Sequence, residues 1–203
     1  MHARRLLSDC LIGMGNALAL LEFDSVASGL RALDILVKEA QVDVLEANLV
    51  EPGKFLVLYV GGVAEVESSH TAVKEQFQPS LKAEMLLPMV HAALVEGLKG
   101  TDDRQPPEAL GIVEGVDVAT TLVAADRSLK DADVQLVGIR VAVGLGGRAY
   151  YVIRGALHDV EVGVGVGADL LEAAERLHRI EVIARPHDEM VPWLLRPAPF
   201  SVG

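Results

Sequence analysis

The run Ala17–Phe23 is apolar except for Glu22 and stops at Asp24 and Ser25, residues that accept hydrogen bonds from the first turn of a helix. Its length and apolar character predict a buried strand leading into a helix. In that helix Val26, Leu30, Leu33 and Val37 share one face at spacings of three and four, while Arg31, Asp34 and Lys38 fall elsewhere. Lys38 stands near its end, where the negative pole of the helix dipole favours a cation. Val42–Val50 and Phe55–Val60 then read as antiparallel strands joined by Glu51-Pro52-Gly53-Lys54, a turn in which Pro fixes φ and Gly accepts a positive one. A second helix over Val63–Gln76 follows Gly61-Gly62, a short strand Ala83–Leu87 stops at Pro88, and Met89–Leu98 reads as a helix.

Beyond the polar, turn-rich stretch Lys99–Pro107 the same order returns. Strand Ala109–Glu114 leads to helix Val118–Ala132, strand Val134–Val143, the loop Gly144-Leu145-Gly146-Gly147-Arg148, strand Ala149–Arg154, helix Asp159–Leu177 and strand Ile180–Ala184. Laid on one another without a gap, Ala17, Leu18, Glu22, Leu30, Asp34, Lys38 and Val42 fall on Ala109, Leu110, Glu114, Leu122, Asp126, Lys130 and Val134. A two-residue difference at one loop then brings Gly53, Gly61 and Glu67 onto Gly147, Gly155 and Glu161. The chain is a duplicated unit. The expected division is an extension over residues 1–16, a first domain over 17–100, a linker over 101–107, a second domain over 108–190 and an extended, proline-bearing tail over 191–203. The fold class is α+β, each copy a four-stranded antiparallel sheet flanked by helices.

Hydrophobic residues make up 51% of the chain but aromatics only 4%, so the cores must be thin layers of Val, Leu, Ile and Ala. Mean hydropathy is positive, which points to apolar surface buried between subunits. The net charge of -11 argues against binding nucleic acid through phosphate contacts. Cys10 is the only cysteine, which excludes an internal disulfide or a multi-cysteine metal site and fits a reducing cytoplasm. Arg4 and Arg5 ahead of apolar residues look like a leader, but Asp9 and Asn16 interrupt the run. No stretch reaches the roughly 18 apolar residues of a membrane span.

Candidate chemistry is sparse. Gly144–Gly147 joins two strands, whereas a phosphate loop must open a helix, so a tight turn or a close backbone approach is the preferred reading. His70, His91, His158, His178 and His187 lack metal-ligand spacing and have no evident carboxylate partner in sequence. Glu22 and Glu114 recur at one place, as catalytic carboxylates would, and a repeated structural contact explains them better. No nucleophile elbow, Walker loop or zincin helix is present. Two repeated features remain. Lys38 and Lys130 each stand in D-x-x-x-K-x-A-x-V, and the two strand-joining loops each combine small residues with one cation, Lys54 and Arg148.

With its ALGIVE strand, VAxxxxAADxxLKxAxV helix, GxGG loop, the Arg-Gly before the next helix and VIARPHDEM, the second copy resembles a bacterial microcompartment (BMC) shell domain, and the chain resembles the non-permuted tandem type of the propanediol-utilisation shell. The resemblance covers residues 17 to about 190. It implies two ferredoxin-like BMC domains and a homotrimer that imitates a hexagon, tiling a shell facet with hexameric BMC-domain and pentameric vertex proteins around encapsulated enzymes. It implies tile-edge contacts through Lys38, Lys130, Arg185, Pro186 and His187, with Ala184 in place of the motif's first proline. The first copy reads Leu87-Pro88-Met89 there and lacks the arginine. It implies a central pore for small metabolites lined by Glu51, Pro52, Gly53, Lys54, Gly144, Leu145, Gly146 and Gly147. Some relatives hold an iron–sulfur cluster on a cysteine just before Pro-Gly-Lys; Glu51 stands there, so no cluster or other cofactor is expected. The expected role is structural, not enzymatic, in a cytoplasmic microcompartment shell, without nucleic-acid or membrane partners. The alternatives are a trimeric small-ligand-binding regulator of ferredoxin-like fold, and an enzyme using Glu22 or Glu114.

Overall fold

The computed structural model describes residues 16–100, 107–142 and 144–194. The extension apart from Asn16, Cys10 and nearly all of the linker lie outside the described residues. The first copy runs β1 (Asn16–Phe23), α1 (Val26–Glu39), β2 (Asp43–Val50), β3 (Lys54–Gly62), α2 (Val63–Phe77), β4 (Leu81–Leu87) and α3 (Ala92–Leu98). The second runs β5 (Ala109–Gly115), α4 (Val118–Asp131), β6 (Gln135–Val141), β7 (Ala149–Gly155), α5 (Leu157–Ala173) and β8 (Leu177–Ala184), then a 3-10 turn (Asp188–Met190) and α6 (Val191–Leu194).

Each copy makes a four-stranded sheet, ordered β2-β3-β1-β4 and β6-β7-β5-β8. The first strand of each copy, β1 or β5, is flanked on both sides by antiparallel partners. Alternation along β1 sends Ala17, Ala19, Leu21 and Phe23 into a core with α1 and α2, and Leu18, Leu20 and Glu22 to the opposite face. Ser25 caps α1 as expected, accepting from Ser28 N at 3.4 Å, and Asp117 caps α4 in the same way, accepting from Thr120 N at 2.8 Å.

Several expectations needed correction. The buried stripe of α1 runs through Gly29, Ala32 and Leu36, while Leu30 and Val37 are about half exposed. Gly29 is the reason: Phe55 lies so close that a Cβ there would meet its ring carbon at 2.4 Å, and this contact rotates the helix away from the face that spacing alone suggested. Helix α5 stops at Ala173, because Glu175 takes a left-handed φ of 57° and Arg176 N returns to Leu171 O at 2.7 Å, so Leu177 opens β8 instead of closing the helix. Strand β6 ends at Val141, before Ala142 at φ 58°. Helix α3 starts only at Ala92, since Met89 holds φ 53°. The tail is helical over Val191–Leu194, where Leu194 packs with Met190 against Leu110, Val137 and Val152; its remainder lies outside the described residues.

By their contacts the described residues divide into two units, those within 16–49 and 53–95 and those within 50–52 and 96–194. The tip of the β2–β3 hairpin, Val50–Pro52, therefore belongs with the second unit.

Candidate functional site

The β2–β3 tip is a tight turn. Glu51, Pro52 and Gly53 are exposed, the Glu51–Pro52 peptide is cis, and Gly53 takes φ 76°. Lys54 opens β3 on the face that carries Glu22, and its Nζ lies 2.6 Å from Glu22 Oε1. The Glu22 side chain is 8% exposed and that of Lys54 36%, so the ammonium supplies the charge that makes burial of this carboxylate tolerable. Among the described residues Glu51 makes no ion pair or side-chain hydrogen bond.

In the second copy Gly144, Gly146 and Gly147 take φ of 72°, 61° and 82°. The loop folds over the Ala142 carbonyl, which accepts from Leu145 N at 3.1 Å and Gly147 N at 3.5 Å. Added Cβ atoms at Gly144 and Gly146 would meet nothing within 4 Å, so backbone conformation, not crowding, requires these glycines. At Gly147 a Cβ would stand 3.5 Å from Val50 and 3.9 Å from the Glu51 carbonyl, which places the Glu51 turn beside the glycine loop. Arg148 Nη1 donates to His178 Nε2 at 3.1 Å. Thus Lys54 and Arg148 share a sequence position but not a contact: Glu22 pairs with its cation, whereas Glu114 makes no ion pair among the described residues. The repeated structural contact expected for the two glutamates exists in the first copy only.

The proposed edge residues divide similarly. Lys38 and Lys130 each sit 2.6 Å from the aspartate one turn earlier, Asp34 and Asp126. The first pair is open to solvent, with side chains 71% and 57% exposed; in the second Lys130 is 34% exposed and Asp126 only 5%. Arg185 is exposed at φ 54°, beside half-buried Pro186 and exposed His187, whose Nδ1 accepts from Glu189 N at 3.3 Å. The register on the central strands shows what stands there in the first copy. Leu87 pairs Leu18 as Ile183 pairs Leu110, which puts Met89, at φ 53°, in the place of Arg185 and His91 in the place of His187. His91 Nδ1 likewise accepts from the backbone two residues on, Ala93 N at 3.3 Å. Sequence reasoning missed this histidine pair, although His91 follows the end of β4 by four positions and His187 the end of β8 by three.

His70 does have a carboxylate partner. It is buried on α2, its Nδ1 3.1 Å from the Tyr59 hydroxyl and its Nε2 3.2 Å from Glu84 Oε2, while Lys74 contacts the other Glu84 oxygen. The partners come from β3 and β4, so no local spacing could announce them. Burial lowers the His70 pKa against the raising influence of Glu84. Burial likewise raises Tyr59, assisted by the Glu84 charge. Tyr59 therefore keeps its proton and donates to Nδ1, which leaves the Nε2 hydrogen for Glu84. No group of three or more metal-ligating side chains occurs among the described residues.

The sequence profile of the family described as BMC domain matches residues 17–90 and 109–186. The chain is 34% identical over 177 residues to the bacterial microcompartment shell protein PduT of Citrobacter freundii, covering 87% of this chain and 96% of that protein. It is 39% identical over 87 residues to the carboxysome shell protein CsoS1 of Prochlorococcus marinus, covering 42% of this chain and 82% of that one. Among solved structures, a microcompartments protein from Desulfitobacterium hafniense DCB superposes with a TM-score of 0.82 at 38% identity, over 86% of this chain and 97% of that one.

Proposed function

The chain belongs to the BMC-domain family, with two such domains in tandem, and on that premise we propose that it is a structural shell protein of a bacterial microcompartment. Three copies close into a ring in which first and second domains alternate, a pseudo-hexagon built from heterologous contacts. These tiles assemble with other shell proteins, hexameric tiles and pentameric vertices among them, into the wall around an enzyme cargo. The Glu51 and Gly144–Gly147 loops border a central opening for small metabolites, and Lys38, Lys130 and the Arg185-Pro186-His187 segment meet neighbouring tiles. Glu51 offers oxygen where a cluster would need sulfur, so the reading includes no cofactor. It includes no catalytic step either. Among the described residues no helix is long and apolar enough to cross a membrane.

The observation that carries this reading is the repetition of one sheet order together with a helix-terminal aspartate–lysine pair in both copies. A ligand-binding trimer has no need of the same pair twice. Electron microscopy of the purified protein, alone and coexpressed with hexameric shell proteins, tests it. Threefold, hexagon-shaped tiles that enter sheets or closed shells are expected. Discrete particles that never tile would sink the proposal.

A further inference from the structure

We infer that the opening bordered by these loops passes small cations and neutral solutes in preference to anions, and that Glu51 sets this preference. The inference rests on the pore reading above. By residue type the loops hold one acid and two cations, Glu51 against Lys54 and Arg148, so a cation preference requires that the cations stand away from the opening. The structure removes both cations from the tips. Lys54 reaches sideways to β1 and is held by Glu22 at 2.6 Å, a pair in which the two charges cancel. Arg148 stands at the root of its loop, and its guanidinium reaches across β5 to His178 on β8, the edge strand farthest from the β6–β7 hairpin.

What stays at the tips is Glu51, exposed and without a polar partner among the described residues, beside glycines that contribute only backbone. Threefold symmetry repeats that one unpaired carboxylate around the axis. Like charges focused on a narrow, protein-walled opening attract counter-ions and repel co-ions, most strongly at low ionic strength. An entering cation is further favoured because it relieves the mutual repulsion of the three carboxylates. Small carboxylates and phosphates meet the opposite field and pass slowly.

The test is the reversal potential of the full-length trimer in a planar lipid bilayer under a potassium chloride gradient at low salt. Wild type is expected to favour potassium over chloride several-fold. Glu51→Gln, at an exposed turn position where folding is not at stake, should bring the ratio close to one, and Glu51→Lys should invert it. A conducting wild type without cation preference, or a preference that survives Glu51→Gln, overturns this inference and leaves the pore standing. Absence of any conductance from the wild type overturns the pore reading itself, and this inference with it.

Discussion

Ser128 on α4 donates to the backbone carbonyl of Gly163 on α5 at 2.7 Å. In the first copy the same helix-to-helix bond runs the other way: Ser69 on α2 donates to the carbonyl of Leu36 on α1 at 2.9 Å. The offset that carries Lys38 onto Lys130 carries Leu36 onto Ser128, and the one that carries Gly61 onto Gly155 carries Ser69 onto Gly163. The hydroxyl has changed helices and the contact has survived. Both serines are fully buried, so in each copy one hydroxyl fixes the distance between the two helices that cover the sheet.

The two serines are not equal in consequence. Ser69→Ala removes one hydrogen bond and is expected to destabilise by about 1 kcal/mol. Ser128 has a second partner, Tyr151, at 2.8 Å, and since its single proton goes to the Gly163 carbonyl, Tyr151 must donate to it. Burial raises the Tyr151 pKa to about 12, against the lowering influence of Ser128, so that proton is present throughout the physiological range. Ser128→Ala therefore strands a buried hydroxyl as well as a carbonyl and should cost about 2 kcal/mol or more. Urea midpoints of the two variants, measured side by side, check the order.

Tyr151 also constrains its neighbour. A Cβ at Gly167 would fall 1.9 Å from the Tyr151 hydroxyl and 2.9 Å from Ser128 Oγ. Gly167→Ala is expected to destabilise by about 1–3 kcal/mol through overpacking. Adding Tyr151→Phe removes the atom in the way, so the double variant should lose clearly less than the sum of the single losses. Additive losses would show that the crowding lies elsewhere.

The order of strands and helices was legible because each apolar run is short, capped and punctuated, and because it occurs twice. The core that joins them was not. Where the first copy has Val57 and Val73 the second has Tyr151 and Gly167; where the first has Phe23, Gly29 and Phe55 the second has Gly115, Thr121 and Ala149. Large and small residues have exchanged places across one packing volume, which keeps the core filled while erasing the match along the sequence. This exchange also misled the reading of α1, whose buried face is set by Phe55 over Gly29 and not by its most apolar positions. In the candidate site, the identity of loop and edge residues could be read from motifs. Their charge balance could not, because Lys54 and Arg148 find partners on other strands.

His70 makes the first unit sensitive to mild acid. Its pKa is lowered in the folded state, so as pH falls through the ordinary histidine range, near 6.5, the unfolded chain takes up the proton first. Stability is then complete above that range and declines as pH falls below it. The groups facing His70 are Tyr59, Glu84 and Lys74. Burial alone would raise Glu84, but Lys74 and His70 outweigh it and hold that carboxyl low, so its own loss of stability comes only at still lower pH. Comparing urea midpoints at pH 7.5 and 5.5, His70→Gln should reduce the difference seen in wild type. An unchanged difference would assign it to other histidines.

Lys38 and Lys130 should separate stability from assembly. The Lys38–Asp34 pair is open to water on both sides, and exposed pairs of this kind contribute little, so Lys38→Ala should leave the unfolding midpoint within error of wild type. Lys130 faces an aspartate that is almost wholly buried, and its removal withdraws the ammonium from a carboxylate with little access to water. Lys130→Ala should therefore lower the midpoint, by about 1–2 kcal/mol once converted. If both lysines stand at tile edges, both variants should form trimers of normal size yet fail to extend into sheets under the electron microscope. For Lys38→Ala that failure cannot be traced to lost stability, which makes it the cleaner probe. Sheets formed as readily by Lys38→Ala as by wild type would remove this lysine from the edge.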